Sequence, residues 1–166
     1  MKKLFLAAFM LAGVAFNAQA QEISKNAIGL RIGDNDGFGA EVSYQRRLGT
    51  DNRLELDLGW RDSRYYDAVK LVGLYQWVWN IEGGFNWYAG VGGGLGTFDT
   101  DDRYYFDGRR YGDSGTYAVV AGDIGIEYKF DFPLQLSLDF RPELYFGDDF
   151  GDDFGPDIAL GVRFTF

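Results

Sequence analysis

The residues with the most obvious capacity for chemistry are acidic and crowded. Residues 146–155 read as a tandem Phe-Gly-Asp-Asp repeat, in which Asp148, Asp149, Asp152 and Asp153 place four carboxylates within six positions. Oxygen donors at that density suit a hard cation such as Ca²⁺. Their spacing matches no defined calcium loop, so the reading favoured here is a solvated acidic loop with no metal. Asp34, Asn35, Asp36 and Gly37, and again Asp99, Asp101 and Asp102, begin like a calcium-binding loop but lack its later glycine and terminal glutamate. A second group mixes cations and aromatics: Arg103, Tyr104, Tyr105, Arg109, Arg110 and Tyr111. Such side chains suit phosphate groups or an external ligand through charged hydrogen bonds and ring stacking. A loop tip packed on itself explains them equally well. Glu55 and Asp57 share one face of a strand and have the types needed for acid–base work. Interior ion pairing accounts for them better, because no cleft is evident to admit a substrate.

What is missing narrows the chemistry further. The 166 residues contain neither histidine nor cysteine. Histidine-dependent hydrolysis, thiol nucleophiles and the usual zinc sites are therefore excluded. The expectation is a protein that is not an enzyme and carries no cofactor. The formal charge is −9, which argues against nucleic acid, since phosphate contacts need a basic face.

The elements that must carry these loops are strands. Residues 1–20 have a basic start, an apolar run and Ala18-Gln19-Ala20, the pattern of a secretory signal cleaved before Gln21. The run is too short to span a bilayer as a helix. Residues 21–166 then form one domain of eight segments with apolar and polar residues in alternation. Ile28, Leu30 and Ile32 open the series, and Ala40, Val42 and Tyr44 follow. Leu54, Leu56, Leu58 and Trp60 alternate with Glu55, Asp57, Gly59 and Arg61, the clearest such stretch. The fourth segment has Val69, Leu71, Tyr75, Trp77 and Trp79 on one face, with Val72, Leu74 and Val78 beside Lys70 and Gln76 on the other. The fifth runs from Phe85 to Gly96, the sixth from Ala118 to Phe130, the seventh from Leu134 to Arg141 and the last from Asp157 to Phe166. Short turns follow the second, fourth and sixth segments, and longer loops follow the third, fifth and seventh. This asymmetry matches a barrel with short periplasmic turns and longer outer loops.

Alternation alone does not say which face is inside. A soluble barrel buries its apolar face, and a membrane barrel turns it outward. The aromatics favour the membrane barrel. Trp77, Trp79, Phe85, Trp87, Tyr128, Phe130, Phe164 and Phe166 lie on the apolar face near the end that holds the short turns and the termini, like a girdle at a membrane interface. The polar face carries six cations (Arg31, Arg61, Lys70, Lys129, Arg141 and Arg163) against seven carboxylates (Glu41, Glu55, Asp57, Asp123, Glu127, Asp139 and Glu143), which predicts a nearly neutral interior network. Gly90, Gly92, Gly94 and Gly96 are expected to make room for long Arg and Tyr side chains from facing strands.

With Val162-Arg163-Phe164-Thr165-Phe166 at its end and Trp87-Tyr88-Ala89-Gly90-Val91-Gly92 within, the chain resembles the small eight-stranded outer-membrane β-barrel proteins of Gram-negative bacteria, the OmpX and OmpA-barrel type. The resemblance covers residues 21–166. It implies an all-β, antiparallel, up-and-down transmembrane barrel in the outer membrane, exported on a cleaved signal. It also implies Phe164 and Phe166 as an assembly signal read by the barrel-assembly machinery, with outer-membrane lipid and lipopolysaccharide as surroundings and a monomer as the working form. The expected role is structural or surface-interactive. The alternative is a soluble periplasmic lipocalin-like barrel that binds an apolar ligand. A small-solute channel is disfavoured, because eight strands leave little open lumen.

Overall fold

A computed structural model describes residues 23–33, 39–62, 66–100, 114–147 and 153–166. Eight strands follow one another: β1 (Asn26–Gly33), β2 (Ala40–Arg47), β3 (Asn52–Asp62), β4 (Tyr66–Glu82), β5 (Phe85–Thr100), β6 (Ser114–Lys129), β7 (Gln135–Phe146) and β8 (Asp153–Thr165). Each pairs antiparallel with its sequence neighbours, and β8 pairs with β1, so the sheet closes on itself. Closure leaves no free edge in the ring, the condition for putting strands in hydrocarbon. At the seam Asn26 and Phe166 exchange backbone hydrogen bonds, both of 2.9 Å.

The connections sort only in part as the sequence predicts: the longest, residues 101–113, follows β5, but only residues 63–65 separate β3 from β4, because Arg61 and Asp62 stay in the ladder opposite Ala68 and Asp67 and the long loop expected there is absent. The β4–β5 turn needs two glycines for different reasons. Gly83 has φ +53°, a left-handed conformation that side chains disfavour. A Cβ on Gly84 would stand 2.5 Å from the Lys129 carbonyl oxygen. The Asn80 amide donates to the carbonyls of Gly83 and Phe85 and fixes the bend.

The walls differ in height. The β1–β2 ladder runs only from Asn26↔Arg46 to Ile32↔Ala40, whereas β4–β5 runs from Glu82↔Phe85 to Tyr66↔Thr100. A tilted strand needs about 9–11 residues to cross a bilayer. With 17, 16 and 16 residues, β4, β5 and β6 exceed that and rise past β1 and β2 at the loop end.

Burial is inside-out relative to a soluble protein. Leu30, Leu56, Leu71, Leu95, Ile124, Leu138 and Leu160 are all exposed on the outer face. Asp57, Lys70, Arg141 and Arg163 are 0% exposed on the inner one. An outside of this kind is satisfied by hydrocarbon and not by water. The soluble alternative is not favoured, because an interior lined with charges offers no apolar ligand cavity. Rings pack along the turn-end girdle: Trp79 stacks on Trp87 at 4.3 Å, Tyr128 meets Phe85 and Phe130 at 4.5 and 4.7 Å, and Phe164 stacks on Phe166 at 6.2 Å.

Two interior expectations need correction. Among the described residues the buried charged set is five cations, Arg31, Arg53, Lys70, Arg141 and Arg163, against eight carboxylates, Glu41, Glu55, Asp57, Asp123, Glu127, Asp139, Glu143 and Asp157. Arg61 and Lys129 sit near strand ends and are only partly buried, so the interior carries an excess of negative charge. The inward glycines also serve adjacent strands and not facing ones. A Cβ on Gly96 would meet the Tyr117 ring at 2.2 Å, and one on Gly90 the Gln76 side chain at 2.8 Å, and both neighbours are direct ladder partners. At Gly92 and Gly94 the obstacle is the β4 backbone itself, with the carbonyl oxygens of Gly73 and Leu71 at 1.9 and 2.1 Å.

Candidate functional site

The lumen is the first place to look for chemistry, and two tiers of ion pairs fill it. In the loop-side tier Arg31 of β1 reaches Glu41 at 3.1 Å and Asp139 and Asp157 at 2.5 Å each. Arg141 of β7 reaches Glu41 at 2.6 Å, Asp57 at 2.9 Å and Glu143 at 2.8 Å. Lys70 of β4 contacts Glu143 at 2.9 Å, and the Tyr145 hydroxyl also donates to Glu143. These bonds tie β7 to β2, β3 and β4 across the barrel. A small apolar cluster, Val72, Leu74, Val119 and Ala121 with Tyr145 against it, packs the same half.

The turn-side tier is built on two further arginines. Arg163 donates to Glu55 at 2.7 Å and to the hydroxyls of Ser43 and Ser137 at 2.9 and 2.7 Å. Arg53 donates to Glu127 at 2.6 Å and to the Gln76 side-chain amide oxygen (Oε1) at 2.5 Å, and its guanidinium lies 4.7 Å from the Tyr88 ring centroid. Amides complete the layer. Gln135 bridges Gln45 and Glu127 at 3.0 and 2.9 Å, and Gln76 donates to Asp123 at 2.5 Å.

This arrangement answers the Glu55 and Asp57 question. Each is clamped by its own arginine, Glu55 by Arg163 and Asp57 by Arg141. Buried charges persist when paired and hydrogen-bonded, and these are. Both carboxylates are struts and neither faces a substrate cleft. Sequence reasoning left two members out of the charge set. Arg53 continues the inward phase of Glu55 and Asp57, and Asp157 holds that of Arg163, so period two alone is enough to find them.

The outer end holds the remaining candidates. Asp148, Asp149 and Asp152, and the group Arg103, Tyr104, Tyr105, Arg109, Arg110 and Tyr111, lie outside the described residues. So does the side chain of Asp153, whose backbone opens β8 opposite Tyr145. Among the described residues no set of three or more acidic groups stands close enough to hold a metal ion. The tall wall ends in polar residues: Asp67 pairs with Asp99, and Asp99 with Ser114, beside Thr97 and Thr116. Phe164 and Phe166 lie exposed on the outer face beside the β1–β8 seam.

Two solved structures share this architecture. The crystal structure of Neisserial surface protein A matches with a TM-score of 0.59 at 14% identity, covering 85% of this chain and 93% of that one. The N-terminal β-barrel domain of OprF from Pseudomonas aeruginosa matches with a TM-score of 0.53 at 17% identity, covering 85% and 95%. No protein-family model and no curated protein matches the chain. At these identities the likeness is one of fold: a closed, eight-stranded, antiparallel barrel of the outer-membrane type.

Proposed function

We propose that this barrel is a non-enzymatic component of the outer membrane whose role is structural or surface-interactive, exerted by the connections at its loop end. One observation carries this reading: the lumen is cross-braced by buried ion pairs from wall to wall, which leaves the loop end as the place for recognition. Loops on a rigid scaffold are where binding residues gather. The surroundings in this reading are outer-membrane lipid and lipopolysaccharide, and the working form is a monomer. Trimming residues 101–113 and 148–152 to short turns should preserve insertion, read as a folded band that shifts on boiling, and abolish any envelope or surface-binding phenotype. A phenotype that survives trimming but is lost in Glu55→Gln/Asp57→Asn would move function into the lumen.

The same reading makes Phe166 part of an assembly signal. Deleting it should lower the amount of protein in the outer membrane of cells. Unchanged membrane levels would remove this role.

A further inference from the structure

The residues before β1 do something that strand alternation does not require. Ile23 precedes the first strand by three positions, yet it is buried at 9% exposure and clusters with Val78 and Tyr88. Those two partners face inward from β4 and β5. In a closed ring of eight strands, β5 stands opposite β1. The segment therefore crosses the turn-end mouth from one wall to the other instead of trailing away from the seam. Two bonds anchor the crossing to β2: Arg47 donates from its guanidinium to the Ile23 carbonyl at 3.2 Å, and from its backbone N–H to the Lys25 carbonyl at 3.0 Å. Beyond the crossing, β1 is locked to the C-terminus by the Asn26–Phe166 pair.

We infer that Ile23 is a stopper that closes the turn-end mouth of the lumen. An apolar side chain has little reason to enter a charged interior unless it caps it. The same end of the lumen holds a polar layer of Asn86, Glu127, Gln135, Gln45 and Arg53, joined through hydrogen bonds. Tyr88 couples the two regions. It shares the cluster with Ile23, its ring centroid lies 4.7 Å from the Arg53 guanidinium, and its hydroxyl donates to Asp139 at 3.4 Å. A cap over this layer keeps water and small ions from exchanging with the charged interior at that end.

The chain has no cysteine, so a single reporter can be read without background. Ala27 is inward, 1% exposed and close to this mouth, and Ala68 is inward at the far, loop end. Each is replaced by cysteine in the otherwise full-length protein, reconstituted in phosphatidylcholine vesicles, and labelled with a small water-soluble methanethiosulfonate. Adding Ile23→Asp should speed labelling at Ala27→Cys by roughly tenfold or more, as expected when local opening controls access. Labelling at Ala68→Cys should be unchanged. Only the band that shifts on boiling is scored. Ile23→Ala, which leaves every strand ladder intact, gives a smaller increase of the same sign and decides the matter should Ile23→Asp fail to fold. Equal rates at Ala27→Cys with Ile23 and Ile23→Ala, or an equal rise at both reporters, would overturn the inference.

Discussion

Along β3, Leu54, Leu56, Leu58 and Trp60 point outward while Arg53, Glu55 and Asp57 point inward, so one strand serves two solvents. The outer row is generic: its residues need only be apolar, and none depends on a particular neighbour. The inner row is specific. Asp57 makes sense only because Arg141 arrives from β7, and Glu55 only because Arg163 arrives from β8. The outer face is thus a matter of composition, and the inner face a matter of pairing across the barrel.

That contrast is broken most severely from inside. Arg141→Ala takes from Asp57 the arginine that clamps it, and one partner each from Glu41 and Glu143, which keep Arg31 and Lys70, and should cost about 3–5 kcal/mol, the scale for removing one partner of a buried ion pair. Urea unfolding in lipid vesicles measures it, and a loss under about 1 kcal/mol would mean that the lumen is wet enough to screen these charges. On the outer face, Leu56→Arg or Ile124→Arg should cost about 2–4 kcal/mol near the bilayer midplane, whichever strand is chosen. A large difference between these two sites, once depth is allowed for, would show that the outer row is not generic. The smallest effect sharpens the inner rule. Asp123 is held by the Gln76 amide, in an interior that already has eight carboxylates for five cations. Asp123→Asn should therefore change stability by less than about 1 kcal/mol, because relieving excess buried charge offsets the altered bond. A cost as large as that of Arg141→Ala would refute the count.

This contrast also explains what was legible in the chain. Period two assigned Leu56, Ile124 and Leu160 outward and Glu55, Asp139 and Arg163 inward without error, because facing is a local property of a pleated strand. Partners were not legible. Which arginine meets which carboxylate depends on strand stagger around the closed ring, a quantity that no single strand encodes. The glycines show the same limit: Gly96 reads as space, but only the register shows that Tyr117 fills it. Ile23 was invisible for a different reason. It belongs to no alternating segment, and its burial comes from a crossing of the mouth that has no sequence period.

The central claim, that the apolar face meets hydrocarbon, can be read from the protein's own fluorophores. All four tryptophans, Trp60, Trp77, Trp79 and Trp87, lie on the outer face. In vesicles whose acyl chains carry bromine their emission should be strongly quenched, while acrylamide in the water should quench it weakly. Strong quenching by acrylamide with none by the brominated chains would contradict the account.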